Sequence, residues 1–292
     1  MTTIQTGMTY EQIKNSYEEI YRFLQAAGDR GCNEHFHWGR FEWMMAHPFL
    51  EHDKLGALAL FRNDENKIVG MSTYDTSYDD RNYLIHSSDD ESLLTEMVLH
   101  LVDKNENIVI ANSKDIALYA ALTKLHFEKR ECRDKVLELS LADEKQYSLP
   151  DEISISSKEF KADPWKYQVV IHKGFNHEGL PEKDDDSSAT IPPHYNTELK
   201  VFAVDKNEYC AHCGCWYTQG DTAYIEPVVT IPRCRHLGLG RAVVYEAVNR
   251  ARAMGARRAV VLSSQEFYYK LGFTESSEFY AWVRRLPACF TC

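Results

Sequence analysis

The stretch from Ala223 to Met254 constrains the fold more than any other part of the chain. An apolar run, Ala223–Ile225 and then Val228–Ile231, is interrupted by Pro227 and closed by Pro232. Proline has no N–H to give to a ladder, so a strand here must be disturbed at 227 and finish near 232. Arg235-His236-Leu237-Gly238-Leu239-Gly240 follows. Val243, Val244, Ala247, Val248, Ala251 and Met254 then recur at helical spacing, which makes one face of the next segment apolar. Gly238 and Gly240 let the backbone come close to a ligand with no Cβ in the way. The free N–H groups of a helix's first turn, backed by its dipole, form a site for a phosphate-type anion. Arg235 and Arg241 add positive charge at its rim. The turn is neither a Rossmann Gly-x-Gly-x-x-Gly nor a P-loop ending in Gly-Lys-Ser/Thr.

Two series of elements surround this segment. In the first half, Thr9–Ala26 reads as an amphipathic helix, and Lys54–Arg62 and Lys67–Tyr74 read as strands. Ser88-Asp89-Asp90-Glu91 starts a helix over Ser92–Asp103, Ile108-Val109-Ile110 is a short buried strand, and Ser113-Lys114-Asp115 opens a helix through Leu125. A strand at Val136–Leu141 closes the half. Lys145–Pro150 reads as a linker. Beyond it, a helical region holding Trp165, Val169 and Val170 precedes strands at Leu199–Val204, Tyr209–Thr218 and Thr222–Val229. A helix at Gly240–Met254, a strand at Arg258–Leu262, a short helix around Phe267–Leu271 and a last strand at Phe279–Arg285 complete the second half. The shared order, and an echo between Tyr119–Phe127 and Phe267–Phe273, predict a duplicated α/β (α+β) architecture. Its expected domains are 1–145 and 151–292.

The remaining features narrow the partners. A formal net charge of −11 argues against nucleic acid, which is held by Lys and Arg. No apolar run approaches the roughly 18 residues that span a bilayer, and Met1-Thr2-Thr3-Ile4-Gln5 has no secretory character. The expectation is a cytoplasmic protein without nucleic-acid or membrane partners. The charged stretch Glu182–Ser188, inside the segment from Gly174 to Tyr195, reads as a solvated loop, with a lid over a cleft as its functional alternative. Cys210/Cys213 and Cys289/Cys292 have a spacing that zinc accepts. However, a strand through the first pair sends its two side chains to opposite faces, so reduced thiols and no metal are expected.

Arg235-His236-Leu237-Gly238-Leu239-Gly240 resembles the Arg/Gln-x-x-Gly-x-Gly/Ala cofactor signature of the GNAT superfamily of N-acetyltransferases. Phe267-Tyr268-Tyr269-Lys270-Leu271-Gly272-Phe273 is similar to that family's Tyr-x-x-x-Gly-Phe ending. The resemblance covers roughly residues 152–288 by motif and the first half by element order alone. It implies tandem GNAT-like domains, each a mixed, mostly antiparallel sheet flanked by helices. It also implies an acetyl-CoA-dependent enzyme that passes acetyl directly to an amine of a small molecule or peptide. On that pattern Arg235, His236, Leu237, Gly238, Leu239, Gly240 and Arg241 hold the pyrophosphate, and Val228, Val229 and Thr230 pair with the pantetheine arm. The Val229 N–H is the expected oxyanion donor, Tyr268 the acid for the leaving thiolate, Glu226 the base, and Ser264 a polar contact to the cofactor. The first half has Leu84–Glu91, rich in acid, where the glycine turn would be, and is expected to hold no cofactor. A catalytically silent module that senses acyl-CoA or binds a protein is the competing implication.

Overall fold

The computed structural model describes residues 2–47, 50–75, 79, 81–181 and 192–285. Glu182–Ser188 and the Cys289/Cys292 pair lie outside the described residues. The elements run β1 (Thr3–Gln5), α1 (Tyr10–Asn15), α2 (Tyr17–Gly28), α3 (Trp38–Met45), β2 (Ala59–Arg62), β3 (Ile68–Thr73), β4 (Arg81–His86), α4 (Glu91–Asp103), β5 (Ile108–Asn112), α5 (Ile116–Lys124) and β6 (Phe127–Ser140). They continue with β7 (Ile153–Ile155), α6 (Pro164–Gly174), β8 (Lys200–Asp205), β9 (Glu208–Trp216), β10 (Thr222–Thr230), α7 (Leu239–Ala253), β11 (Arg258–Leu262), α8 (Glu266–Lys270) and β12 (Thr274–Arg284).

Side chains of the preceding loops set many helix starts. Thr9 and Gln12 form a reciprocal capping box on α1. Asp90, Asp115 and Asp163 each accept a backbone N–H in the first turn of α4, α5 and α6, satisfying donors the helix itself leaves over. The helix expected over Thr9–Ala26 is broken at Ser16, which ends α1 and begins α2.

The chain forms two compact units. The first comprises residues 1–136, Leu262–Ser264 and the chain from Glu275. Its strands lie in the order β1-β2-β3-β4-β5-β12-β6, with β4 and β5 parallel and β1–β2, β2–β3, β3–β4 and β5–β12 antiparallel. Leu94, Met97, Val98, Val109 and Leu122 are buried in its core between the sheet and α4 and α5. The second unit comprises Leu137–Val261 and Gln265–Thr274. There the order is β6-β11-β10-β9-β8-β7, with β10 and β11 parallel and β7–β8, β8–β9 and β9–β10 antiparallel. Val243, Val244, Ala247, Val248 and Ala251 of α7 are fully buried in its core. Each valine contributes on the order of 2 kcal/mol of burial, so the apolar stripe read from the sequence is what fastens α7 to the sheet.

The units do not divide at 145–151. The chain enters the second unit at Leu137, inside β6, and returns most of β12 to the first. A cut between 145 and 151 would leave Leu137–Ser140 and β12 with the wrong partners.

Candidate functional site

The site grows out of an irregularity in β10. Its register with β9 runs Tyr224↔Trp216 and Ile225↔Cys215, then resumes at Val228↔Cys213. Glu226 and Pro227 therefore stand opposite Gly214 alone, a two-against-one bulge. A cis peptide joins Glu226 to Pro227. Gly214 is required here, because a Cβ on it would sit 2.3 Å from the Glu226 carbonyl oxygen. That oxygen accepts the Trp216 indole N–H at 2.8 Å, which holds the bulge in one shape.

At the same point β10 leaves its other neighbour. It pairs with β11 at Thr222↔Arg258, Ala223↔Ala259 and Tyr224↔Val260, and no further. The β11-side edge of residues 225–230 is thus unpaired by that strand. Which backbone groups face this edge follows from the ladder. The Ile231 N–H donates to the Cys210 carbonyl at 3.0 Å, so in an antiparallel pair Val229, two residues back and opposite His212, also turns its N–H toward β9. Val228 and Thr230 turn the other way. The Val229 N–H, expected as the oxyanion donor, therefore belongs to the ladder, and the Val228 N–H faces the open edge. The Val229 side chain is buried beneath the end of α6, where a Cβ on Gly174 would lie 2.4 Å from its own Cβ.

Arg235 also differs from expectation. Its guanidinium donates to the Thr230 carbonyl at 3.1 Å, the Gly174 carbonyl at 3.0 Å and the Asn176 side-chain oxygen at 2.7 Å. It clamps the end of β10 to the end of α6 rather than standing free at a rim, which is the part left to the exposed Arg241. The turn then passes through His236 at φ 65° and Gly238 at φ 80°, the left-handed region that glycine enters without strain. α7 begins at Leu239 with no side-chain cap, and its first backbone bond is Ala242 N–H to the Gly238 carbonyl at 3.1 Å. The N–H groups of Leu239, Gly240 and Arg241 thus have no partner within the helix. A Cβ on Gly240 would meet the Phe267 ring at 3.2 Å and the Thr230 hydroxyl at 3.3 Å, so its absence lets the helix start sit close to both. His236 and Leu237 are exposed beside the turn.

Tyr268, on α8, is 7 % exposed and packs edge-on against Phe267 and Phe273. Burial, and then the nearby Cys213 thiol and Glu226 carboxyl, hold its phenol well above the ordinary tyrosine value. The Tyr224 hydroxyl donates to the Glu226 carboxylate. Tyr268, Glu226 and the bulge therefore share one locality of the second unit. Ser264 is exposed and groups with the first unit. Sequence reading missed Gly214, Trp216 and Gly174, because what they do depends on the strand or helix lying across from them.

The first unit has the same divergence with different contents. β4 pairs with β5 at Arg81↔Ile108, Asn82↔Val109 and Tyr83↔Ile110, then parts from it. Beyond, the Asn33 amide donates to the His86 carbonyl at 3.0 Å and accepts its N–H at 3.3 Å. The chain's own side chain takes that edge. At the start of α4, where α7 has a glycine turn, the Asp90 carboxylate accepts the Ser92 N–H at 2.8 Å.

Residues 165–273 match the model of the acetyltransferase (GNAT) family. That stretch is a GNAT-family domain, and the whole chain takes a fold similar to that of tandem GNAT proteins. No curated protein matches the sequence. Among solved structures, a tandem GNAT protein from the clavulanic acid biosynthesis pathway superposes with a TM-score of 0.56 at 10 % identity, over 97 % of this chain and 98 % of that one. A GCN5-related N-acetyltransferase from Sphaerobacter thermophilus gives 0.55 at 14 % identity, over 96 % and 94 %. A GNAT-family acetyltransferase from Colwellia psychrerythraea gives 0.55 at 12 % identity, over 97 % and 100 %. At such identities the likeness is one of fold.

Proposed function

We propose that the chain is an acetyl-CoA-dependent N-acetyltransferase whose second unit carries one active site. The observation that carries this reading is the divergence of β10 from β11 after Tyr224, with an uncapped glycine turn at its end and a protonated tyrosine beside it. The uncapped N–H groups of Leu239, Gly240 and Arg241 suit the cofactor's pyrophosphate. The Val228 backbone, on the open edge, suits the pantetheine amides.

In the reaction an amine nitrogen attacks the thioester carbonyl, forming a C–N bond. The Val228 N–H stabilises the oxyanion, which is worth most where it is aimed beforehand and water is excluded. The C–S bond breaks as the Tyr268 phenol gives its proton to the departing sulfur. Glu226, held by Tyr224, takes the proton the attacking nitrogen loses, directly or through water. No covalent enzyme intermediate is needed.

Titrating the full chain with acetyl-CoA by calorimetry tests the cofactor half of this reading. One equivalent per chain is expected, from the second unit. Two equivalents would contradict the different contents of the two clefts, and none would remove the reading.

A further inference from the structure

The first unit contains a cluster that the acetyl-transfer site does not use. The ligand atoms of Cys32, His86 and Asp115 lie within 4.8 Å of one another. His86 and Asp115 are 0 % and 1 % exposed at their side chains, with Nε2 and Oδ2 2.7 Å apart. Cys32 is 9 % exposed and, with Asp115, lines a cavity of about 570 Å³ that Arg30, Asp89 and Lys114 also border. We propose that Cys32, His86 and Asp115 form a divalent-metal site, selective for zinc, with its fourth position open to that cavity.

Each ligand is held by something other than the ion. The His86 Nδ1–H donates to the Ser88 carbonyl at 2.8 Å, which fixes the ring and presents Nε2 as the donor atom. This is the outer-shell arrangement that orients metal-bound histidines. Asp115 spends Oδ1 on the Leu118 N–H at 3.0 Å, as the cap of α5, and keeps Oδ2 for the cluster. The loop that carries Cys32 is pinned by the next residue, Asn33, whose amide bonds the Ala27 and His86 carbonyls, each at 3.0 Å. The three ligands therefore come from three separate segments brought to one point by backbone contacts.

The donor set favours zinc. A thiolate, an imidazole and a carboxylate span soft to hard, a mixture that zinc accepts and that magnesium and calcium do not. A tetrahedral site has ligand–ligand edges of roughly 3.3–3.8 Å, so small side-chain rotations bring the three into range. The ion replaces two protons: the one on the Cys32 thiol, and the one shared between Nε2 and Oδ2. Both leave to solvent as the metal–sulfur and metal–nitrogen bonds form, so binding strengthens with pH. The same residues do not form a thiol–imidazole catalytic pair, because both ring nitrogens of His86 are engaged, by Ser88 and by Asp115.

The test uses the full chain, stripped with a chelator and then titrated with zinc against a chromophoric competitor. One tight equivalent is expected, with proton release, and cobalt in its place should show thiolate-to-cobalt charge-transfer absorption. Cys32→Ala should remove that absorption and weaken zinc binding roughly tenfold or more. Cys132→Ala, at an exposed thiol on β6, should change neither. Absence of a tight equivalent in the unmodified chain, or zinc binding and cobalt absorption unaltered by Cys32→Ala, overturns the proposal. Neither outcome bears on acetyl-CoA binding by the second unit.

Discussion

Tyr268 keeps its proton at a pH where an exposed phenol would begin to lose it, because burial and the Cys213 and Glu226 groups disfavour the phenolate. The hydroxyl therefore still carries the proton that an acid for the departing thiolate must give. Tyr268→Phe keeps the ring contacts to Phe267 and Phe273 and removes only the hydroxyl. We expect kcat to fall about 100-fold or more while the KM for acetyl-CoA stays within roughly twofold; steady-state kinetics will show the split. An equal kcat would take Tyr268 out of the mechanism. The Tyr-x-x-x-Gly-Phe pattern marks the position of Tyr268 in the sequence, and the structure places it near Glu226. The edge that the Val228 N–H faces has no such mark, because which of two neighbouring amides turns from the ladder depends on parity, and parity is set by the bulge opposite Gly214.

Along β10, two neighbouring residues turn their backbone N–H groups to opposite sides. Val229 pairs toward β9 and packs under α6, and Val228 presents its N–H to the open edge. Proline substitution separates these roles, since it deletes one N–H and nothing else that is polar. Val229→Pro should lose a ladder bond and at least about 1 kcal/mol of stability, seen as a lowered Tm. Val228→Pro should melt closer to the unmodified protein and yet lose on the order of 100-fold in kcat, the cost of one oxyanion donor. The reverse pattern would return the donor to Val229. Strand boundaries were legible where a short apolar run is bounded by polar residues: Arg258–Leu262, followed by Ser263 and Ser264, is read as observed. β6 was not. The sequence reading finds its end, Val136–Leu141, but the strand begins at Phe127 and carries mostly exposed residues from Glu128 to Lys135. A strand without an apolar face gives no period to read.

For the whole molecule, the two-domain organisation was visible as a repeated element order, but the exchange of chain between units was not. Local composition marks a polar linker at 145–150; it carries no signal for which sheet β12 joins, because that pairing links Phe279 to Asn112, far away in sequence. Each unit also buries a histidine. Burial lowers His35 of the first unit to about 4, against an opposing pull from Asp115, and lowers His212 of the second to about 3, with Lys200 adding to the effect. Unfolded, both take up a proton near pH 6.5. Between that pH and the lowered values the unfolded chain binds more protons than the folded one, so stability falls as pH falls. A lower Tm at pH 5 than at pH 7.5 is expected, and calorimetric scans across that range check it. A rising Tm would contradict the buried, neutral state of these rings.

Acetyl transfer from acetyl-CoA to an amine by the second unit is checked by following acetyl-CoA consumption with a broad panel of amines. The panel would span aminoglycosides, polyamines, free peptide N-termini and peptide lysines. Amine-dependent release of free CoA thiol is expected with at least one class, and its loss in Tyr268→Phe. Tight acetyl-CoA binding with no turnover across the panel would contradict it and make the chain an acyl-CoA sensor.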